Sequence, residues 1–262
     1  MFRLSVDSPE WIRVFSGLSP RQFGNLVEIV ADRGGPVIAD GRKCRPWSLT
    51  LADRVLLVAV YLRTNLTVRQ IGPLFGVSKS AAGRIMDSLK PLLGLEHARP
   101  AATTGRVFIV DGTLVPTHDR GADSSKNYRR SSNIQVMIDA DTRLTVAVAG
   151  PLPGSRHDSK AFTQSGINHA AGNATVIADG GYAGHPHVII PYRKPNGGTI
   201  TPWQRDLNTI HKRIRARIEH AIGSIENWNI LRNCRLKGDG VLHATSAIAI
   251  AHMRDITLTH PP

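Results

Sequence analysis

The chain has 262 residues, 41% of them hydrophobic and 20% charged, which is typical of a folded globular protein and excludes a disordered one. Its 33 lysine and arginine residues outnumber 20 acidic ones, so the formal net charge is +13. Such an excess favours a polyanionic partner, nucleic acid first and an anionic membrane second. The longest apolar run, 55–61, is far shorter than the ~20 residues of a membrane span, and residues 1–11 lack a signal-peptide core. We therefore expect a soluble intracellular protein that does not enter a membrane.

Helical patterns fill the first hundred residues. Ser19 and Pro20 are typical of an N-cap followed by a first-turn proline, and they predict a helix over about 20–30. Apolar residues at helical spacing predict a second helix over about 52–63. Prolines and a glycine between 91 and 100 indicate a boundary. We therefore predict an all-α domain over residues 1–100 and a second domain over 101–262.

A helix-turn-helix is predicted at about 67–90. Thr67 is suited to cap a first short helix, Gly76 lies in the turn, and Ser78 is suited to cap a second helix. Pro73 falls inside the first helix, so we expect a kink or a shortened helix there. An ordinary packed helix pair, with no DNA contact, is the alternative interpretation.

The second helix of this motif predicts a DNA-reading face. Ala81, Ile85 and Leu89 are expected to point inward. The residues expected to face outward are Lys79, Ser80, Gly83, Arg84 and Lys90. Lys79, Ser80 and Arg84 are the candidate DNA-binding residues, because basic and polar side chains near the start of a recognition helix contact base edges and phosphates.

Beyond residue 100 the pattern changes to β-branched strands. Strands are predicted at 106–111, at 133–150 as a hairpin, at 175–179 and at 187–192. A helix is expected around 159–165, and a long helix at 203–231 carries an apolar stripe. The residues of that stripe are Ile214, Ile218, Ala221, Ile225 and Trp228. This order predicts a mixed sheet covered by helices on its faces.

Three acids stand where such a domain collects catalytic groups. Asp111 and Asp179 each end a hydrophobic strand, and Glu219 lies on the long helix. Three converging carboxylates repel one another unless divalent cations neutralise them, and Mg²⁺ prefers oxygen ligands. Each acid also has a simpler interpretation: an aspartate after a strand is often a cap, and Arg215 is placed to pair with Glu219 four residues later.

Motifs in this domain resemble those of the bacterial insertion sequence 5 family of transposases, which are related to the eukaryotic Harbinger group. The stretches that carry the resemblance are VDGTLVPTH (110–118), SKNYR (125–129), PGSRHDS (153–159), ADGGYAG (178–184), YRKP (192–195) and RARIEHAIGSIENWNILR (215–232). The helix-turn-helix region at 54–85 is similar to the one that precedes the catalytic domain in that family. The resemblance covers roughly residues 45–255, with the motifs in the same order.

The resemblance implies a ribonuclease-H-like catalytic fold and a DDE triad of Asp111, Asp179 and Glu219, which would be both catalytic and metal-binding. Two divalent ions are implied, Mg²⁺ or Mn²⁺. His157 and Asp158 match a segment that lies near the site in such enzymes; a helix N-cap at Asp158 is the alternative.

The implied substrate is double-stranded DNA, both the terminal inverted repeats and the target. The implied reaction is metal-dependent hydrolysis at transposon ends followed by strand transfer. We expect a homo-oligomer on DNA in the bacterial cytoplasm, associated with the nucleoid. The alternative functions are a domesticated or decayed transposase that only binds specific DNA, and a metal-dependent nuclease that cleaves without joining strands.

Glu226 departs from the family pattern, because related sequences tend to carry a lysine at this position. An acid two helical turns beyond Glu219 would repel DNA phosphate instead of contacting it. Either another basic residue substitutes, with Arg215, Arg217 and Lys237 near in sequence, or this copy is weakened. Arg215 and Arg217 are therefore candidate DNA-binding residues.

Overall fold

The computed structural model describes residues 3–35, 46–93, 105–119 and 130–253. The SKNYR stretch at 125–129 and residues 94–100, which make up most of the predicted domain boundary, lie outside the described residues. Internal contacts divide the chain into two compact units. One comprises Met1–Leu95, Asn227–Cys234 and His243–Pro262, and the other comprises Glu96–Glu226 and Arg235–Leu242. We call them the helical unit and the α/β unit.

The helical unit begins with five helices: α1 Glu10–Ser16, α2 Pro20–Asp32, α3 Leu51–Thr64, α4 Val68–Leu74 and α5 Lys79–Leu89. Ser19 caps α2 in a reciprocal capping box with Gln22, as the sequence predicts. Helix α3 is buried along most of its length and contacts α1, α2 and α5, so it forms the centre of this unit.

Helices α4 and α5 form the predicted helix-turn-helix. Gly76 has a φ of +66°, a left-handed conformation that favours glycine in the turn, and the Ser78 side chain caps α5. Pro73 lies in the last turn of a helix of seven residues, so the predicted shortening is confirmed. Ala82 rather than Ala81 is buried with Ile85, Met86 and Leu89, which shifts the inward face by one residue at its start.

The α/β unit is built on a five-stranded mixed sheet in the order β3-β2-β1-β4-β5. Its strands are β1 Val107–Pro116, β2 Ser131–Asp139, β3 Thr145–Pro153, β4 Thr175–Ile177 and β5 Val188–Ile189. The first three strands pair antiparallel, whereas β4 and β5 join in parallel. The helices are α6 Asp158–Gln164, α7 Ile167–Ala171 and α8 Pro202–Glu226. The predicted α/β fold, a mixed sheet with flanking helices after an all-α helix-turn-helix region, is confirmed and is consistent with a ribonuclease-H-like domain.

Three element bounds differ from the predicted ones. Strand β1 runs five residues past Asp111, because it pairs with β2 as far as Pro116. Strand β5 keeps only Val188 and Ile189, because it pairs only with the short β4 at the sheet edge. Helix α8 ends at Glu226, and Trp228 lies in extended backbone before a separate helical turn.

The chain after α8 returns to the helical unit. A short helix α9, Asn229–Arg232, contacts α3, and a longer helix α10 spans Gly240–Met253. Arg63 Nη1 donates to the carbonyl of Asn227 at 3.0 Å, and Asn65 Nδ2 donates to that of Asn233 at 2.8 Å. The sequence-based division at residue 100 did not include this return. No helix among the described residues has the length and apolar character needed to cross a membrane.

Candidate functional site

The two predicted aspartates meet at neighbouring parallel strands. Strands β1 and β4 pair Ile109 with Ile177, so the same register carried two residues further brings Asp111 beside Asp179. Asp179 caps a single 3₁₀ turn, where its Oδ1 accepts from the backbone N–H of Gly181 at 2.7 Å. Asp111 accepts from the N–H of Gly112 at 2.9 Å. Both carboxylates are therefore held by backbone donors of rigid elements.

Helix α8 brings Arg215 and Glu219 to the same place. Arg215 Nη1 donates to Oδ2 of Asp111 at 2.9 Å, and its Nη2 donates to Oε1 of Glu219. The Asp111 side chain is 19% exposed, whereas that of Glu219 is 56% exposed. One guanidinium thus bridges the first and third members of the predicted triad, and the simpler pairing of Arg215 with Glu219 also occurs.

The electrostatic field at Asp111 is set by its burial and by other carboxylates. The pKa of Asp111 is raised to about 6, chiefly by burial; Arg215 and the Gly112 N–H oppose the rise, and the charges of Asp179 and Asp158 add smaller contributions to it. Asp111, Asp158 and Asp179 therefore act on one another electrostatically. The pKa of Tyr182 is raised well above its ordinary value by burial first and then by these three carboxylates.

The donor set fits a divalent cation in its chemistry. Carboxylate oxygens are the ligands that hard cations such as Mg²⁺ prefer, and the half-buried Asp111, Asp158 and Asp179 share a single cationic partner, Arg215 at Asp111, among the contacts described above. Within the described part of the chain, no three His, Cys, Asp or Glu side chains lie close enough to hold a metal ion as they stand. The Arg215 guanidinium supplies the positive charge between Asp111 and Glu219, so an ion that uses both carboxylates must compete with it.

The alternative prediction that Asp158 is a helix N-cap is wrong. The N-cap of α6 is His157, whose Nδ1 accepts from the N–H of Ser159 at 3.4 Å. Asp158 is the first residue of the helix, and its Oδ1 instead accepts from Asn133 Nδ2 at 3.1 Å. The Asp158 carboxylate faces Asp111 and Asp179, whereas the exposed His157 caps the N-terminus of helix α6.

A buried chain of hydrogen bonds leads to Asp158. Tyr182 Oη donates to Gln135 Oε1 at 2.7 Å, Gln135 Nε2 donates to Asn133 Oδ1 at 2.8 Å, and Asn133 donates to Asp158. Asn133, Gln135 and Tyr182 are 3%, 0% and 0% exposed. Every donor along the chain points towards the carboxylate, so the neutral partners fix its position.

Sequence analysis missed these residues for an identifiable reason. Asn133 and Gln135 alternate with Ile134 and Val136, and such alternation is typical of a strand with one solvated face. Strand β2 is in fact buried on both faces, so its polar positions lie towards the site. Two amide side chains at i and i+2 in an otherwise apolar strand were the available signal.

Gly112 allows this arrangement by having no side chain. A Cβ at Gly112 would lie 2.7 Å from Asp158 Oδ1 and 2.7 Å from Gln135 Nε2, both closer than real contacts permit. The glycine directly after Asp111 therefore lets the Asp158 carboxylate approach β1.

Glu226 also contacts β1. Thr113 Oγ1 donates to Glu226 Oε1 at 2.6 Å, two residues along the strand from Asp111. The last turn of α8 is thereby fastened to the strand that carries the first aspartate. An acid at this position has a structural partner within the α/β unit.

The candidate DNA-binding residues differ in how far they are engaged. Lys79, Ser80 and Arg84 are exposed at the start of α5, with the Arg84 guanidinium 5.6 Å from the Trp47 ring centre. Arg217 Nη1 donates to the carbonyl of Ala140, and Arg215 holds the two carboxylates described above. The α5 residues are therefore presented to solvent, whereas the two α8 arginines have partners within their own unit.

Comparison with known proteins identifies the family of the chain. Residues 102–254 match the family described as Transposase DDE domain, and residues 47–96 match Helix-turn-helix of DDE superfamily endonuclease. A transposase named for insertion sequence element IS112 of Streptomyces albus G is 53% identical over 98% of this chain and 98% of its own. One named for IS702 of Microchaete diplosiphon is 27% identical over 83% of this chain and 84% of its own.

The chain belongs to the DDE transposase family, whose model covers more than half of its residues. The α/β unit is accordingly a DDE-type endonuclease domain, and the family depends on divalent metal. The helix-turn-helix match makes DNA the partner of the chain. The predicted class of protein, a DNA transposase with a DDE endonuclease activity, is confirmed.

Proposed function

We propose that Asp111, Asp179 and Glu219 form the catalytic and metal-binding triad of an insertion-sequence transposase. The observation that supports this most strongly is the parallel register that sets Asp111 beside Asp179, with Glu219 brought to Asp111 through Arg215. Asp158 lies beside these aspartates, held by the buried Asn133 amide. We propose Asp158 as a supporting carboxylate and His157 as the N-cap of helix α6.

The reaction that fits these groups is hydrolysis of a phosphodiester at each transposon end, followed by attack of the freed 3′ hydroxyl on target DNA. We propose two Mg²⁺ ions, replaceable by Mn²⁺, which when bound would activate the attacking oxygen and stabilise the leaving one. Asp111 and Asp179 would hold these ions from the strand side and Glu219 from the helix side. The Tyr182–Gln135–Asn133 chain would keep the Asp158 carboxylate fixed in position beside them.

Recognition of the terminal inverted repeats is proposed for the helix-turn-helix, with Lys79, Ser80 and Arg84 at the start of α5 entering the major groove. Arg215 and Arg217 are proposed as phosphate contacts near the reacting bond. Each would exchange a present partner for DNA, which makes their contribution smaller than that of unengaged cations. The basic chain as a whole, with its net charge of +13, supports salt-dependent affinity for duplex DNA.

Several finer features are part of the same proposal. The motif order supports membership of the insertion sequence 5 group related to Harbinger. Two DNA ends must meet for transposition, so we propose a homo-oligomer on DNA at the bacterial nucleoid. We also propose a DNA-binding domain over 1–100 and a catalytic domain over 101–262, with the last helices of the chain packing back on the first domain.

The test is cleavage of a labelled duplex that carries the element's own terminal repeat. Wild-type protein with Mg²⁺ or Mn²⁺ is expected to nick at the repeat end, and Asp179→Asn is expected to lower the rate by at least about a thousandfold at unchanged DNA affinity. Asp239→Asn, which changes an exposed aspartate of the same unit, is the matched control and should cleave normally. Specific binding without cleavage by the wild type would support a DNA-binding protein that has lost catalysis, and cleavage without strand joining would support a nuclease.

A further inference from the structure

An open groove runs along the free edge of the sheet in the α/β unit. Strand β5 and the N-terminal half of α8 enclose a volume of about 670 Å³. Its floor is apolar, with Ile177, Val188, Ile190 and Ile214 among the lining residues. The buried face of α8 begins only further along the helix, at His211 and Ile218, so the first turns of α8 leave their apolar stripe uncovered.

Exposed hydrophobic side chains concentrate around this groove. Apart from Val14, the large exposed hydrophobics among the described residues line this groove or pack against a residue that does: Ile189 at 51%, Tyr192 at 43%, Leu207 at 45% and Ile210 at 51% line it, and Trp203 at 54% contacts Tyr192. A contiguous exposed patch of this kind marks a binding surface rather than ordinary surface variation.

Hydrogen bonds hold the walls of the groove in place. The Asn208 side chain accepts from the N–H of Tyr192 at 2.8 Å and donates to its carbonyl at 3.0 Å. His211 Nε2 lies 3.3 Å from the carbonyl of Ile189, which ties β5 to α8. The rings of Tyr192 and Trp203 meet edge to face, with centres 5.2 Å apart. The aromatic wall is therefore preformed.

The charge around the groove favours a polyanion. The exposed charged residues of this segment are Arg193, Lys194, Arg205, Asp206, Lys212 and Arg213. Five of these six are basic, so a second copy docked by the same face would bring like charges together. Aromatic rings next to cations are the combination that binds unpaired nucleic acid, where bases stack on the rings and phosphates contact the cations.

The groove also adjoins the carboxylates. Ile177, on its floor, precedes Asp179 by two residues, and Arg193 donates to the carbonyl of Gly180, directly after Asp179. Helix α8 continues from the groove to Arg215 and Glu219. A DNA strand lying in the groove would therefore lead into the proposed active site.

We infer that this groove binds unpaired nucleotides of the DNA substrate next to the phosphodiester that is cleaved. Bases would stack on Trp203 and Tyr192 above the aliphatic floor, and phosphates would contact Arg193 and Lys194. Unpaired nucleotides are specified because a duplex hides its base faces within the helical stack. This inference rests on the proposed function of the neighbouring site.

The experiment compares two labelled duplexes by fluorescence anisotropy, one blunt and one with a single-stranded 3′ extension of four nucleotides, with EDTA present. Wild-type protein is expected to bind the extended duplex several-fold more tightly. Trp203→Ala should weaken binding to the extended duplex by about fivefold or more and leave binding to the blunt duplex unchanged. Trp203→Phe, which keeps an aromatic face, should retain most of the preference, and Val14→Ala, which changes the exposed hydrophobic residue of the helical unit, should retain all of it.

Three results would overturn the inference: no preference in the wild type, an equal loss on both duplexes, or a change in sedimentation of the Trp203→Ala protein alone, which would identify a second copy as the occupant. Because EDTA prevents cleavage, the assay is independent of the proposed catalysis. A wild type that prefers the extended duplex but never nicks would contradict the proposed function alone. Normal nicking with an unaltered Trp203→Ala preference would contradict the groove alone.

Discussion

The strand side and the helix side of the site hold their acids in different ways. On the strand side, Asp179 after β4, and Asp158 at the start of α6 but bound to Asn133 of β2, accept hydrogen bonds from neutral amide donors that are fixed in rigid elements. On the helix side, the half-exposed Glu219 is held by one guanidinium that also pairs with Asp111. A cation that binds Asp111 and Glu219 must compete with the charge of the guanidinium, whereas neutral amide donors carry no net charge that opposes it. The site therefore combines acids held by neutral donors with acids that share one guanidinium, and under the proposed function a metal ion would have to displace that guanidinium.

The position of Asp158 on the strand side is tested most directly by substituting Gly112. Gly112→Ala adds a methyl group 2.7 Å from both Asp158 and Gln135, so the carboxylate or β2 must move. We expect the nicking rate to fall by at least about a hundredfold, since displacement of about 1 Å at a catalytic centre has effects of this size. Kinetics on the terminal-repeat duplex would measure it.

The matched control is Gly223→Ala on α8, where an added Cβ meets no atom within 4 Å. It should leave nicking unchanged and stabilise the helix by about 0.5–1 kcal/mol. Equal activity of the two alanine variants would show that the approach of Asp158 to β1 has no role in catalysis.

The buried charge of Asp111 predicts a dependence of stability on pH. Its pKa is raised from 3.8 to about 6 in the folded protein, so between these values the folded state binds more protons than the unfolded one. The contribution of this group to the free energy of unfolding is therefore present below pH ~4 and is lost as pH rises through about 6. Asp111→Asn should remove that loss. Between pH 4 and pH 7.5, the metal-free wild type should therefore lose up to about 3 kcal/mol of stability that the variant keeps.

Urea denaturation of both proteins at the two pH values measures this difference, with Asp239→Asn as the exposed counterpart. The sign of the effect at pH 7.5 is what distinguishes this prediction, because an ordinary ion-paired aspartate stabilises the folded protein at neutral pH. An Asp111→Asn variant that is less stable than the wild type at pH 7.5 would show that the pair with Arg215 outweighs burial.

Substitution of Arg215 tests whether this guanidinium competes with a metal ion on the helix side. Arg215→Gln removes the cation that a metal must displace from Asp111 and Glu219, so affinity for Mn²⁺ without DNA is expected to rise several-fold, about 1 kcal/mol. Titration calorimetry of the full chain would detect it. Arg217→Gln removes an arginine of the same helix that contacts neither carboxylate, and its affinity should stay unchanged. Weaker metal binding by Arg215→Gln would mean that the guanidinium organises the site instead of competing for it.

Glu226 gives the smallest expected effect. Glu226→Lys introduces the positive charge that the family resemblance implies for this position, and it removes the 2.6 Å hydrogen bond from Thr113. We expect DNA affinity to rise about threefold and the salt dependence to steepen by about one counterion. Glu226→Gln, which keeps an acceptor for Thr113, separates the charge from the contact. If the Glu226→Gln and Glu226→Lys proteins bind DNA with equal affinity, residue 226 contacts no phosphate.

How much the sequence could predict follows from what kind of signal each feature leaves. The helix-turn-helix and the acids Asp111 and Asp179 that follow apolar runs were accessible, because capping residues, glycine turns and apolar runs are local patterns, although β1 in fact continues past Asp111. The Asn133–Gln135–Tyr182 chain was not, since it joins residues 47 positions apart and its strand alternates like a solvated one. The end of α8 at Glu226 was also missed, because the apolar stripe continues to Trp228, which is buried within the helical unit.

The most direct test of the central claim exchanges a proposed metal ligand for a softer one. Asp179→Cys presents a thiolate, which Mg²⁺ binds poorly and Mn²⁺ or Cd²⁺ accepts better. Nicking of the terminal-repeat duplex by this variant should be lost in Mg²⁺ and partly recovered in Mn²⁺ with a trace of Cd²⁺, while the wild type uses Mg²⁺ and Mn²⁺ alike. If Asp179→Cys nicked at the same rate in every metal, or failed to nick in all of them, the assignment of Asp179 as a ligand of the catalytic ion would be contradicted.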